Sequence, residues 1–303
     1  MIWYLLEPPQ YAYVAMQQKV QQKGSDPCFA QVAEMYVFGA ILIGFFSAFL
    51  AGMFGVGGAG ISTPAIRLIL GAPPGIALGT TLPVTIPTSL TAAITYWRRG
   101  FLDKRVAYLS AASGIFGSVG GALLTKVLNL HYLMLATGAL VLYIAGQTIH
   151  RAATGNMPSE GTDDYGEAGD ERQESHAPLN PAWVILLIGL GAGFLSGLLG
   201  VGGGILLIPG YIYLLRLPIK KAFATSLAVI TVLAIPGTIV HALLGHISWS
   251  LVIYLAIGVI PGAYLGARVG IRTRERVLFA LFGALIAVFG VIFIVNEIIS
   301  MVG

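Results

Sequence analysis

Charge is scarce in this chain. Asp, Glu, Lys and Arg make up only 10% of 303 residues, against roughly 25% in an ordinary soluble domain. That shortfall excludes a solvated, charged surface. Cysteine is nearly absent too: Cys28 stands alone, so no internal disulfide and no Cys-based metal site can form. No Asp or Glu falls in the middle of a long apolar run, since Glu34 and Glu297 are marginal and Asp103 sits in a loop. A carboxylate proton relay of the kind used by pumps therefore has no evident carrier. The start, MIWYLLEPPQ, has no basic leader before its prolines, so no signal peptide is expected there.

What is present is apolar. Hydrophobic residues reach 56% and the mean hydropathy is +0.84. A membrane-crossing helix needs about 20 apolar residues. Eight runs qualify: 36–54, 76–97, 106–125, 132–149, 181–199, 221–243, 251–267 and 277–295. Two shorter runs, 61–70 and 205–215, each follow a glycine cluster and contain a proline. They read as broken or half-spanning helices, because a backbone break at membrane depth must be sheltered by protein or line a cavity. The runs are continuously apolar and too long for barrel strands, which disfavours a β-barrel. The expected organisation is a lead-in over 1–35, transmembrane segments over 36–149, an acidic flexible linker over 150–180, transmembrane segments over 181–297, and a tail over 298–303. The linker is polar and cannot support a core.

The two membrane portions repeat each other. Gly55-Val56-Gly57-Gly58-Ala59 recurs as Gly200-Val201-Gly202-Gly203-Gly204, an offset of 145 residues. The same ungapped offset pairs Pro64 with Pro209, Pro73 with Pro218, Thr80 with Thr225, Gly117 with Gly262 and Gly121 with Gly266. Across 44–122 and 189–267 there are 22 identities in 79 positions. Glycine and proline coincidences in one register are hard to obtain from composition alone, which points to a duplication.

Each unit holds five apolar segments, so a second unit continuing from the first should run upside down. The charges agree. Arg98, Arg99, Lys104 and Arg105 lie between the third and fourth segments of the first unit, whereas the equivalent turn at 244–250 has no Lys or Arg. Conversely Arg216, Lys220, Lys221, Arg268, Arg272, Arg274 and Arg276 fill loops of the second unit whose counterparts hold only Arg67 and Lys126. Assigning all ten segments places 13 of the 17 basic residues on one face. By the positive-inside rule that face is cytoplasmic, with the linker inside and both termini outside. The expected fold is all-α: a polytopic transmembrane protein of two inverted five-segment repeats with discontinuous short helices.

Such repeats are a transporter architecture, with the substrate near the midplane between them. A glycine run that opens a short helix offers unpaired N–H groups and the positive end of the helix dipole, which favour an anion. Gly55, Gly57, Gly58, Gly200, Gly202, Gly203 and Gly204 are thus candidate binding residues. They could equally serve close helix packing. Thr80, Thr81, Thr225 and Ser226 open the third segment of each unit; their hydroxyls can donate to an oxyanion or satisfy local carbonyls. Thr85, Thr88, Ser89 and Thr91 make the same helix the best pore-lining candidate of the first unit. His241, inside a span, could bind substrate, accept a proton or simply pack. His131, His150, His176 and His246 look peripheral.

No catalytic site or cofactor is implied: GVGGAG lacks the Lys-Ser/Thr of a phosphate loop, and no clustered acid-base set or metal spacing occurs. The net charge of +4 arises from loop clusters rather than from a nucleic-acid face. The partners expected are a small anionic substrate and membrane lipid, with proton coupling and oligomeric state left open.

The duplicated G-x-G-G-[AG]…P pattern resembles the TauE/SafE sulfite exporter family of membrane permeases. So do the following Ala77-Leu78-Gly79-Thr80-Thr81 and Ala222-Phe223-Ala224-Thr225-Ser226. The resemblance covers 36–297. It implies secondary transport, in the export direction, of a sulfur-containing anion such as sulfite, thiosulfate or an organosulfonate across the cytoplasmic membrane, with the glycine runs and Thr80, Thr81, Thr225 and Ser226 at the substrate site. The alternative is a carrier or channel for a different small anion or metabolite. Ala59 in place of a glycine, the acidic linker and the long lead-in depart from the family pattern.

Overall fold

A computed structural model describes residues 27–124, 181–199 and 203–274, together with scattered residues between 139 and 146 and between 277 and 295. Eight α-helices lie in the continuous parts: α1 (Pro27–Phe54), α2 (Ala59–Leu70), α3 (Pro74–Trp97), α4 (Lys104–Leu124), α5 (Ala182–Leu199), α6 (Gly204–Pro209), α7 (Ile219–Leu243) and α8 (Trp249–Arg272). Among the described residues, five helices are long and apolar enough to cross a membrane: Tyr36–Phe54 within α1, Gly75–Trp97 within α3, and α4, α7 and α8. Ala182–Leu198 of α5 is a shorter apolar helix. The chain is an all-α polytopic membrane protein.

Local chemistry sets the breaks. Pro73 and Pro218 stand just ahead of α3 and α7 in extended backbone, where proline's missing N–H costs nothing and its φ suits a helix start. Pro209 ends α6 after six residues, and the chain continues as a π-helical turn, Gly210–Leu214. The short run at 205–215 is thus a broken helix, six α-helical residues and a π-helical turn, whereas its counterpart α2 holds twelve regular residues despite Pro64. The first helix begins at Pro27, upstream of the expected span. Apolar side chains such as Phe38, Phe46, Phe116, Ile253 and Ile257 are exposed on the outside of the bundle, the surface that lipid covers.

Two glycine seams hold the bundle together. Along α1 and α8, a Cβ on Gly258, Gly262 or Gly266 would collide with the carbonyl oxygen of Ile41, Phe45 or Phe49 respectively. From the other side, a Cβ on Gly52 would lie 2.5 Å from the Ala263 oxygen. Along α4 and α5, Gly117 and Gly121 meet the carbonyls of Leu190 and Phe194 in the same way, and Gly197 meets that of Ser118. Adding 145 to each first-unit residue number of one seam gives the other: Gly117–Leu190 becomes Gly262–Phe45 with the units exchanged, and Gly121–Phe194 becomes Gly266–Phe49. Small residues at such crossings let backbones approach, and this packing supplies association energy that lipid does not.

The pairings also fix direction. Residue numbers rise together along both seams, so α1 runs parallel to α8 and α4 parallel to α5. α3 runs with α8, since Thr80 lies beside Ser248 at one end and Tyr96 beside Gly270 at the other. α7 runs with α4, since Thr225 lies beside Asp103 and the Leu233 carbonyl beside Ser118. α3 and α7 cross centrally in opposite senses, with Leu82 against Gly237. The C-terminal ends of α3 and α8 and the N-terminal end of α7 consequently share one end of the bundle, which gathers the exposed Arg98, Arg99, Lys104, Arg105, Arg216, Arg268 and Arg272.

Candidate functional site

The centre of the described bundle is where α1 breaks and α2 begins. The break needs backbone that only glycine adopts cheaply: Gly57 has φ +79°, in the left-handed region. From there Gly58 turns into α2, where its carbonyl accepts from the Ser62 N–H at 3.0 Å and the Ser62 hydroxyl at 2.8 Å. The N–H groups of Gly57, Gly58, Ala59 and Gly60 have no acceptor among the described residues. They form the positive end of a twelve-residue helix.

α3 and α7 wall this spot. A Cβ on Gly58 would sit 3.1 Å from Thr88 Oγ1, and one on Gly57 would sit 2.9 Å from Ile230 Cγ2 and 3.5 Å from Ser89 Oγ. Thr80, Thr81, Thr85, Thr88 and Ser89 of α3 are buried, and most donate to their own helix. Thr85 donates to the Thr81 carbonyl at 2.8 Å and Thr88 to that of Val84 at 2.7 Å. Ser89 differs: it is buried and its Oγ has no partner among the described residues. Thr91 is half-buried.

The other sequence candidates are placed as follows. Gly55 packs on Phe223 of α7, and its carbonyl accepts from Ser226 Oγ at 2.7 Å, a hydroxyl that also reaches the Phe223 carbonyl at 2.9 Å. Gly204 is covered by the backbone of Val56, so the two glycine loops touch directly. Gly203 has φ +72° and packs on Ala192. Gly200 and Gly202 lie outside the described residues. Thr80 Oγ1 accepts from the Ser248 N–H at 3.0 Å, and Thr225 Oγ1 accepts from the Asp103 N–H at 3.2 Å. These two contacts are counterparts at the 145-residue offset and tie down the turns that open α8 and α4. Thr81 shares a 3.0 Å hydrogen bond with Thr63 of α2 and donates to the Leu78 carbonyl at 3.0 Å. Thus the residues around Gly57 and Gly58 gather at the break, while Thr80, Thr225 and His241 lie at the ends of the central helices.

His241 is fully buried near the end of α7, with Nε2 3.2 Å from the Gly197 carbonyl and Nδ1 3.2 Å from His246 Nδ1. His246 is not peripheral, contrary to expectation. The chain turns back through Gly245, at φ +72°, and lays one imidazole against the other. A spacing of five residues across a helix end with a glycine was the available signal. The contact needs one Nδ1 protonated and the other bare. Burial lowers the affinity of His246 for a proton. A depressed native pKa means that the unfolded chain takes up the proton first. Stability should therefore fall as pH drops below the ordinary histidine value of about 6.5. Melting curves of the detergent-solubilised protein at about pH 7.5 and about pH 5 should show that loss, and His246→Asn should reduce it.

Tyr96, the counterpart of His241, is likewise buried, and its hydroxyl donates to the Met53 carbonyl at 3.2 Å. Among the described residues no group of three His, Cys, Asp or Glu could hold a metal ion.

A multi-pass helical bundle whose central helix breaks at membrane depth has the architecture of a membrane transporter. Residues 40–293 match the family model described as sulfite exporter TauE/SafE, and the chain belongs to that family. Among its relatives, the probable membrane transporter protein YunE of Bacillus subtilis (strain 168) is 26% identical over 251 residues, covering 78% of this chain and 88% of YunE. YdhB of the same organism, also a probable membrane transporter protein, is 29% identical over 234 residues, covering 75% of this chain and 88% of YdhB. A third, YjnA, is 28% identical over 256 residues, covering 82% and 96%. No solved structure gives a significant match. The protein is thus a multi-pass transporter of the cell's cytoplasmic membrane, and not an enzyme.

Proposed function

We propose that the protein is a secondary transporter that exports a small sulfur-containing anion, such as sulfite, thiosulfate or an organosulfonate, across the cytoplasmic membrane. The observation that carries this reading is the set of uncommitted N–H groups at Gly57–Gly60, held in a buried, membrane-depth site. An anion is the species that such a helix start stabilises, and membership of the sulfite exporter family supplies the sulfur chemistry. Gly55, Gly57, Gly58, Gly203 and Gly204 frame the site, with Gly200 and Gly202 their companions from the second unit. Thr81 and Ser226 anchor the adjoining helix starts.

The chain is read as two inverted five-segment repeats, 36–149 and 181–297, joined by the linker 150–180. Support comes from the seam contacts that repeat at the 145-residue offset with the units exchanged, and from the opposite senses of α3 and α7. The basic residues gathered at one end of the bundle put that end in the cytoplasm, with the linker. The termini then lie outside. A proton gradient is a candidate energy source.

Purified protein in vesicles tests the reading. Sulfite, thiosulfate and ethanesulfonate should each be tried as flux substrates and as stabilisers of the solubilised protein, with and without a pH gradient. At least one is expected to move at a rate well above that of empty vesicles and to raise the melting temperature. Indifference to all three in both readouts would sink the reading, and flux of an unrelated anion would redirect it.

A further inference from the structure

We propose that the anion is held from one side: Ser89 and the N–H groups that open α2 take its charged head, while Ile230 of α7 presents an apolar wall to its remainder. This rests on the transport reading above and narrows it to an anion with one charged head and an apolar body.

Ser89 is the independent observation. Its hydroxyl is fully buried and unpartnered, 3.5 Å from the position of a Gly57 Cβ. A buried hydroxyl without an acceptor is costly. Thr85 and Thr88, on the same helix, avoid that cost by donating to carbonyls one turn back. Ser89 does not, and its oxygen lies beside Gly57, where α2 opens. A hydroxyl free to donate beside uncommitted backbone N–H donors fits a group that only accepts: an oxyanion head.

The second unit does not reproduce this chemistry. At the 145-residue offset, Thr85, Thr88 and Ser89 become Ile230, Leu233 and Ala234, all fully buried. The helix that follows the second glycine run, α6, has six residues against twelve in α2, and its first residue, Gly204, is already covered by Val56. Strict symmetry of the paired glycine runs would give two alike anion cradles. Among the described residues, one wall is made of donors and the other of hydrocarbon. Sulfite carries oxygens with no apolar body to set against Ile230, whereas ethanesulfonate turns its oxygens to Ser89 and its ethyl group to the isoleucine. Leaving charged oxygens against hydrocarbon costs desolvation without return.

Binding to the purified full-length protein tests this, with ethanesulfonate and sulfite as probes and the unliganded melting temperature as the folding control. The wild type should bind ethanesulfonate at least about fivefold more tightly than sulfite. Ser89→Ala should weaken ethanesulfonate binding about tenfold, the loss of one charge-assisted hydrogen bond, without lowering the unliganded melting temperature. Ile230→Thr, which installs the residue type of Thr85, should narrow the preference for ethanesulfonate. Wild-type binding that Ser89→Ala leaves unchanged, or a wild-type preference for sulfite, would overturn the one-sided site while leaving the transport reading intact. A lowered unliganded melting temperature in Ser89→Ala would also overturn it, by showing that the hydroxyl serves the fold. Binding of neither probe by the wild type would overturn this inference, and indifference to thiosulfate as well would remove the transport reading with it.

Discussion

Replacing Gly121 or Gly266 by leucine is expected to keep a helix seam from closing, so that little or no folded protein survives solubilisation. The two glycines are counterparts, one in each seam, and each Cα faces a backbone carbonyl, Phe194 for Gly121 and Phe49 for Gly266. A side chain can give way to a new methyl group, but a neighbouring helix backbone cannot without moving the whole helix. Ordinary overpacking of a core costs about 1–3 kcal/mol. A collision between backbones should reach or exceed the upper end of that range, which is a large share of a typical stability of about 5–15 kcal/mol. Gly120 provides the control, because it is exposed and a Cβ there meets nothing within 4 Å. Gly120→Leu should behave as the wild type in size-exclusion profile and melting temperature. Equal behaviour of Gly120→Leu and Gly121→Leu would mean that the seams do not hold the bundle.

The second large effect is expected at Gly57. Alanine there must adopt φ +79° and place its Cβ 2.9 Å from Ile230. Left-handed backbone costs a non-glycine residue about 1–3 kcal/mol, and relief would come by rotating the loop that opens α2. Rotation displaces the N–H groups that form the proposed anion site. Transport should fall about a hundredfold or more, the scale on which small misplacements act at a preorganised site. Gly100→Ala separates site from strain. Gly100 has φ +77° in the α3–α4 turn, and nothing lies within 4 Å of its Cβ position. It should lose some stability and keep its flux. Comparable flux losses in both variants would assign the effect to backbone strain in general.

Most of the architecture was legible because the membrane imposes it. Long apolar runs must be helices, and Pro73 and Pro218 mark where two of them start. The glycines at 117, 121, 262 and 266 were visible as repeat markers, but their partners were not: which carbonyls they face depends on helices brought together from opposite units. Of the two short runs read as broken or half-spanning, 205–215 is broken where Pro209 meets a π-helical turn, while Pro64 is absorbed in a continuous α2. Hydropathy does not distinguish these cases.

The site was read less well. Thr80 and Thr225 were visible as a conserved-spacing pair within the chain, yet each accepts a hydrogen bond from the turn before the opposite unit's helix, Ser248 or Asp103. A hydroxyl suited to a ligand and one suited to a distant N–H look the same in sequence. His246 was missed because nothing in composition shows that Gly245 folds it back onto His241. Ser89 was one of several hydroxyls on α3, and only the tertiary structure shows that its neighbours are satisfied and it is not.

Flux in vesicles containing the purified wild type, compared with the same vesicles containing Gly57→Ala, tests the central claim most directly. Preloading with unlabelled ethanesulfonate or sulfite should accelerate entry of the same labelled anion in the wild type, as exchange through a carrier requires, while chloride preloading should not. Gly57→Ala should abolish the acceleration. A wild type that shows no exchange of either anion, or whose exchange Gly57→Ala leaves untouched, would contradict an anion carrier built on the start of α2.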